Sequence, residues 1–225
     1  MDNVTCEQIN EQPTPAGVLE KRKKRRIPLI KRLKRKPHIS RCTGDYEWYT
    51  PSEIVEAARE VMGEIDCDPA SCDYANQTVK ARKYFSKEND GRKQQWGKRV
   101  WLNPPYSKPL CGEFCGLLLD KLSSGEVEEA CLLVNSSTGS LWFHGALDAA
   151  SAVCFLKGRI KFIKPDGKPV NKPVSYSTML YFGKHVRKFQ SVFGKLGIIR
   201  GQICDEGNDR PGIALPQSSN LAALN

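Results

Sequence analysis

Four consecutive residues, Asn103-Pro104-Pro105-Tyr106, place an amide, two prolines and an aromatic ring directly after the apolar segment 100–102. Two prolines fix φ twice and remove two backbone donors, which predicts a rigid loop after a buried strand. The Asn103 side-chain oxygen and the Pro104 carbonyl can each accept an N–H from an exocyclic amine, stabilising charge that develops on its nitrogen. Tyr106 offers a ring on which a planar base stacks. The loop therefore predicts methyl transfer to a base amine, with a plain turn as the alternative.

A helix start precedes this loop in the chain. Thr50 is expected at the N-cap, Pro51 at the first helical position and Glu53 in a capping box, with Gly63 ending the helix. The following segment 64–71 predicts a short strand that ends in acids at Asp-Pro. At the carboxyl end of a parallel strand, such a carboxylate can bind a cofactor hydroxyl or ammonium group. The alternative is that Asp-Pro only starts a turn.

Apolar patterns after the helix alternate between strand and helix periods. Helices are expected near 114–122, 141–150 and 185–193, and strands near 100–102, 130–134, 153–155, 175–182 and 196–199. A further short helix is expected over 79–84. This alternation predicts an α/β, Rossmann-like methyltransferase fold with a mostly parallel central sheet.

The positive charge of the chain is concentrated near its N-terminus. Of 225 residues with a net charge of +10, the segment 21–36 holds eleven Lys or Arg and no acid, leaving 24 basic and 25 acidic residues elsewhere. We expect a disordered basic arm over 1–44, a methyltransferase domain over 45–201 and a loose tail over 202–225. The arm predicts contact with DNA phosphates, and a solvated tail or a localisation-like signal is the alternative. Its expected contact residues are Lys21, Arg22, Lys23, Lys24, Arg25 and Arg26.

Cysteine spacing and hydropathy indicate the class of protein. The nine cysteines include no CxxC pair and no zinc-ligand spacing, which predicts reduced thiols and no metal. No run of about 18 apolar residues occurs, and the N-terminus lacks a signal-peptide layout, so we expect a cytoplasmic protein without a membrane partner. No pattern specifies an oligomeric state.

Four motifs together resemble the phage-type DNA N6-adenine methyltransferases, which are Dam-like. These are Trp-Tyr-Thr-Pro at 48–51, Gly-x-Ile-Asp-x-Asp-Pro-Ala-Ser at 63–71, Asp90-Gly91 with Trp96, and Val-Trp-Leu-Asn-Pro-Pro-Tyr-Ser at 100–107. The likeness extends from about Tyr46 to about Phe182 and includes a Gly-Arg-Ile-x-Phe segment around Arg159. The chain departs from the general methyltransferase pattern because no Gly-x-Gly loop follows the acidic strand.

The resemblance implies an enzyme that uses S-adenosylmethionine to methylate a flipped-out adenine in double-stranded DNA, encoded by a phage or prophage for DNA modification or restriction-modification. It implies catalytic roles for Asn103, Pro104, Pro105 and Tyr106. Cofactor contacts are expected at Tyr49, Thr50, Pro51, Asp66, Asp68, Pro69, Ala70 and Ser71, and a DNA contact at Arg159. The same loop serves N4-cytosine and other amine methyltransferases, and an inactive DNA-binding remnant is a further alternative.

Overall fold

The computed structural model describes residues 48–164, 166–170 and 175–201. The chain divides into two units, Met1–Ser40 and Arg41–Asn225, and the described residues all belong to the second. The expected basic arm, with its contact residues 21–26, and the expected tail 202–225 lie outside the described residues.

Seven strands, five α-helices and one short 3-10 helix alternate along the described chain. The strands are β1 Cys67–Asp68, β2 Lys83–Tyr84, β3 Arg99–Leu102, β4 Glu129–Asn135, β5 Ala152–Leu156, β6 Ser177–Phe182 and β7 Gly197–Gly201. The helices are α1 Ser52–Met62, α2 Asp73–Val79, α3 Leu110–Ser123, α4 Leu141–Ala149 and α5 Val186–Phe193, and the 3-10 turn is Gly91–Lys93. The five strands expected after residue 99 and the four long helices are confirmed.

The sheet is mixed, with the strand order β2-β1-β3-β4-β6-β5-β7. Strands β1 to β4 pair in parallel, whereas β6 is antiparallel to both β4 and β5, and β7 is antiparallel to β5. The prediction of a mostly parallel sheet is therefore wrong. Adjacent parallel strands need a long crossover connection, usually a helix, between them. The described part of the connection from β5 to β6 contains no helix, which agrees with the antiparallel pairing of these two strands.

Two apolar layers cover the sheet. Helices α1 and α5 pack on one face and α3 and α4 on the other. Along β4 the buried side chains alternate, with Cys131 and Leu133 on the first face and Leu132 and Val134 on the second. The expectation that this apolar run is a strand buried on both faces is confirmed.

The ends of the parallel strands define two edges of the sheet. We call the side where β1, β3 and β4 end, at Asp68, Leu102 and Asn135, the carboxyl edge, and the opposite side the amino edge. Because β6 is antiparallel to β4, it begins at the carboxyl edge, where Ser177 pairs with Asn135.

Two local expectations are corrected. Helix α1 has Pro51 as its N-cap and no side-chain cap bond, so the capping box with Thr50 and Glu53 does not form; Gly63, at φ 83°, ends the helix as expected. The segment 79–84 is not a helix, because α2 ends at Val79. Lys80, at φ 49°, terminates the helix, and the chain then enters β2 beside β1.

Candidate functional site

Strand β3 delivers the Asn-Pro-Pro-Tyr segment to the carboxyl edge. The strand is buried and ends at Leu102, and the two prolines that follow prevent it from extending further. Asn103 is half-buried, Pro104 is buried, Pro105 is exposed and Tyr106 is half-buried. The loop therefore holds the amide of Asn103 at the boundary between the core and the solvent.

Hydrogen bonds on both sides fix the amide of Asn103. Its Nδ2 donates to Thr50 Oγ1 at 3.2 Å, and the Tyr106 hydroxyl donates to its Oδ1 at 2.8 Å. Thr50 is buried and precedes α1, so a helix start and a strand end meet through these side chains. These two contacts hold the plane of the amide, and Oδ1 keeps a second lone pair for another donor.

Tyr106 is held from two directions. Besides its bond to Asn103, its ring meets Phe162 edge-on, with centroids 6.3 Å apart at 77°. Burial raises the pKa of the Tyr106 phenol well above its ordinary value, so the group remains a neutral donor at physiological pH. In this arrangement Tyr106 orients Asn103 as well as contributing an aromatic surface.

The acidic loop after β1 holds a second group of predicted residues. Asp68 is 2% exposed, and burial raises the pKa of its carboxyl to about 7, although it accepts a hydrogen bond from the Ala70 backbone N–H at 3.2 Å. The Ser71 backbone N–H donates to the Phe85 carbonyl at 2.8 Å. The buried Ser71 hydroxyl lies beside this carboxyl and, with the Ala70 N–H, moderates the rise of its pKa. A buried carboxyl and hydroxyl side by side favour a site for a polar ligand.

The Asp90-Gly91 turn packs tightly on this acidic loop. A Cβ on Gly91 would lie 2.0 Å from the Pro69 carbonyl oxygen, so only glycine permits this approach. The Trp96 indole donates to the Gly91 carbonyl at 2.8 Å and holds the turn in place. Pro69 itself is buried. The turn and the acidic loop thus form one wall of the carboxyl edge beside β3.

Tyr49 and Pro51 flank Thr50 at the entry to α1. Tyr49 exchanges two backbone hydrogen bonds of 2.8 Å with Ile163, and its ring lies 4.5 Å from that of Tyr74. Pro51 is half-buried and its carbonyl accepts the first helical N–H groups. The structure therefore brings the predicted residues 49–51 together with Asn103 and Tyr106.

Asp66 lies away from this group, at the amino edge. Its carboxylate accepts hydrogen bonds from the backbone and side chain of Arg99 at 2.9 and 3.1 Å. Burial alone would raise the pKa of Asp66, but the hydrogen bonds and charge of Arg99, with the charge of Arg82, hold it below its ordinary value. The ion pair with Arg99 fixes the start of β3, so the Asp66 side chain is occupied by a structural contact.

A cavity of about 800 Å³ also lies at the amino edge. Its lining includes Asp66, Arg99, Lys98, Glu128 and Glu129. Most of these charges are paired with one another: Lys98 contacts Glu128 at 2.9 Å, and Arg99 contacts Asp66. This cavity is far from Asn103 along the strands, so its size does not identify it as the reactive site.

Arg159 is placed on the surface beyond the end of β5. Its guanidinium carbon lies 4.6 Å from the ring centroid of Tyr176, a cation–π contact. Phe162, three residues further along the chain, contacts Tyr106. The contact of Phe162 with Tyr106 and that of Thr50 with Asn103 were not predicted. In each pair the residues are more than 50 positions apart, so no local sequence signal reveals the contact.

No group of three or more His, Cys, Asp or Glu side chains within the described residues has an arrangement that could hold a metal ion. Among their helices, none has the length and apolar character needed to cross a membrane.

Comparison with known proteins gives two matches. The family described as DNA N-6-adenine-methyltransferase (Dam) matches residues 37–208. A protein of Escherichia phage T1 named DNA N-6-adenine-methyltransferase is 29% identical over 112 residues, which cover 49% of this chain and 44% of the phage protein. The match thus spans less than half the length of that relative. No solved structure matches the chain significantly.

Proposed function

The chain belongs to the DNA N-6-adenine-methyltransferase (Dam) family, and we propose that it transfers a methyl group from S-adenosylmethionine to N6 of adenine in double-stranded DNA. The single observation that carries this proposal is the oriented amide of Asn103 at the end of β3. Its Nδ2 donates to Thr50 Oγ1 and its Oδ1 accepts from the Tyr106 hydroxyl, which supports a role for Oδ1, with the following Pro104 carbonyl, as an acceptor for a shared donor. An exocyclic amine with two N–H groups has the complementary chemistry.

The Asn103 side-chain oxygen and the Pro104 carbonyl would activate the amine by accepting its two N–H groups. The base leaves the duplex stack and enters the carboxyl edge, where its amine donates one N–H to Asn103 Oδ1 and one to the Pro104 carbonyl. Both acceptors stabilise positive charge on the nitrogen as the new N–CH₃ bond forms and the S–CH₃ bond breaks. The extra proton then leaves to water. Pro105 stiffens the loop, and Tyr106 would hold the base plane while its hydroxyl orients the amide.

The residues at the carboxyl edge fit the cofactor chemically. The buried carboxylate of Asp68 and the adjacent buried hydroxyl of Ser71 suit ribose hydroxyl or ammonium groups, and Gly91 leaves no side chain between the two loops. When bound, S-adenosylmethionine supplies a sulfonium methyl group. We assign its contacts to Asp68 and Ser71, with Tyr49, Thr50, Pro51, Pro69 and Ala70. Asp66 is omitted from this set because Arg99 engages it.

The proposal extends to the setting of the enzyme. The mixed α/β sheet with helices on both faces is consistent with a Rossmann-like methyltransferase arrangement. Double-stranded DNA would be the partner, with phosphate contacts from the arm residues 21–26, and the cytoplasm the location. Deleting residues 1–40 should then weaken DNA binding and reduce its salt dependence while leaving cofactor affinity unchanged.

The identity of the modified base tests the proposal. DNA incubated with the protein and labelled S-adenosylmethionine would be digested to nucleosides and resolved by mass spectrometry. We expect label in N6-methyl-2′-deoxyadenosine. Label in N4-methylcytosine alone would replace adenine with cytosine as the substrate. Cofactor binding measured by calorimetry separates an enzyme from a DNA-binding remnant, because a remnant would not bind S-adenosylmethionine.

A further inference from the structure

The chain that leaves β5 at the carboxyl edge presents basic side chains to solvent. Lys157, Arg159 and Lys161 are exposed, whereas Ile160 and Phe162 are buried in the core beneath them. Over residues 159–162 this alternation is typical of an extended segment with one face on the core, and Gly158, at φ 78°, turns the chain between Lys157 and Arg159. We refer to Lys157, Arg159 and Lys161 as the basic face.

Phe162 holds the end of this segment next to the loop 103–106. The ring of Phe162 meets those of Tyr106 and Trp48 edge-on, with centroids 6.3 Å apart in each case. The next residue, Ile163, is joined to Tyr49 by two backbone hydrogen bonds. Lys161 is therefore one residue from a side chain that touches Tyr106, and the position of the basic face is determined by the same contacts that hold the site.

The charges of the basic face are not neutralised within the described part of the chain. Neither Lys157, Arg159 nor Lys161 has a carboxylate within ion-pair distance there, whereas Arg92 and Arg99 both form such pairs. No acidic residue occurs between positions 156 and 165. An uncompensated cluster of this kind attracts a polyanion.

Arg159 is also arranged for phosphate contact. Its guanidinium lies over the ring of Tyr176, which is 55% exposed. Stacking on an aromatic face restricts the arginine while leaving the N–H groups at its rim available to phosphate oxygens. Burial does not explain an aromatic ring so exposed, whereas support of an arginine does.

We infer that the basic face binds the backbone phosphates of duplex DNA next to the base held at Asn103 and Tyr106. This inference rests on the proposed function. Phosphate contacts of this kind carry no base sequence information but fix the register of the enzyme on the duplex. They would place the flipped nucleotide opposite the catalytic loop.

The double variant Arg159→Gln/Lys161→Gln tests this inference in the full-length chain. The matched control is Lys184→Gln/Lys188→Gln, which removes the same charge from two exposed lysines near the amino edge. Affinity for a DNA duplex would be measured by fluorescence anisotropy at several salt concentrations without cofactor. The plot of log K against log salt has a negative slope, and its magnitude should decrease by about 1.8 in the test variant, because each lost phosphate contact removes about 0.9. The control should retain the wild-type slope.

Equal salt slopes in the test variant and the wild type would overturn the inference, as would an equal reduction in the control. Thermal unfolding and S-adenosylmethionine affinity would be measured on each variant to verify that the fold is intact. The measured quantity is affinity for DNA in the absence of a methyl donor, so the result does not depend on catalysis. A wild-type protein that transfers no methyl group would contradict the proposed function alone.

Discussion

Asn103 is held by side chains from two separate parts of the chain. The Thr50 hydroxyl accepts from its amide nitrogen and the Tyr106 hydroxyl donates to its amide oxygen. An unrestrained asparagine amide can present either its oxygen or its nitrogen to a ligand. In this site both ends of the amide are engaged, so its plane is fixed, and the proposed amine substrate would donate to the remaining lone pair of the oxygen.

Replacing Thr50 with valine tests this positioning role. Thr50→Val keeps the branched shape but removes the acceptor, so Asn103 loses its orientation and kcat should fall about tenfold, as expected for about 1.4 kcal/mol. Thr50→Ser is the matched control, since it retains the hydroxyl and should stay close to the wild-type rate. Steady-state kinetics at saturating DNA and cofactor would measure both. A valine variant with unchanged kcat would exclude a positioning role.

The raised pKa of the Asp68 carboxyl predicts that cofactor binding depends on pH. Burial raises the pKa of its carboxyl to about 7, so the group is protonated at pH 6 and ionised at pH 8 in the free protein. The carboxylate is the better acceptor for cofactor hydroxyls. Affinity for S-adenosylmethionine should therefore increase as pH rises through 7, by up to about tenfold per unit below the pKa. Calorimetric titrations from pH 6 to 8.5 would measure this increase.

Asp68→Asn is the control for this pH dependence. Its amide does not titrate, so cofactor affinity should be weaker and nearly constant over the same range. The raised pKa of Asp68 also implies that the free energy of unfolding decreases as the pH rises from about 4 to about 7. In this range the carboxyl is already ionised in the unfolded chain but is still protonated in the folded protein. An identical pH profile for the wild type and the asparagine variant would refute the role of Asp68.

At the scale of elements, local sequence patterns located most of the fold. The apolar run at β4, the periodic spacing in α1 and the glycine at its end were sufficient, because these signals arise from neighbouring residues. The start of α1 was misassigned because Thr50 bonds to Asn103 rather than to the helix. Strand β2, with only two residues, was missed since its stability comes from pairing with β1.

The Asp90-Gly91 turn gives a prediction about the contact between elements. Gly91→Ala would place a Cβ against the Pro69 backbone, which cannot move aside easily, and should reduce the free energy of unfolding by about 1–3 kcal/mol. Gly116→Ala is the control, because this glycine in α3 has open space around it and alanine favours helix by about 1 kcal/mol. Urea denaturation measures both. A stable Gly91 variant would show that the two loops are not in contact.

At the scale of the whole molecule, the topology of the sheet was the least predictable feature. The order of helices and strands correctly indicated an α/β protein, but β6 inserts between β4 and β5 in the antiparallel direction. Strand direction depends on how a connection crosses the sheet, and the connection from β5 to β6 has no periodic pattern that reveals this path. The carboxyl edge nevertheless gathers residues 49–51, 68–71 and 103–106 as the motifs suggested.

The proposed mechanism requires the acceptor oxygen of Asn103 for catalysis. The most direct measurement is the rate of methyl transfer from labelled S-adenosylmethionine to duplex DNA by Asn103→Ala. We predict a decrease in kcat of about 10²–10³, as when one preorganised hydrogen-bonding group is removed from an active site, with cofactor affinity retained. Asn89→Ala, at an exposed asparagine, should transfer methyl groups at the wild-type rate. Full activity of Asn103→Ala would contradict the proposed mechanism.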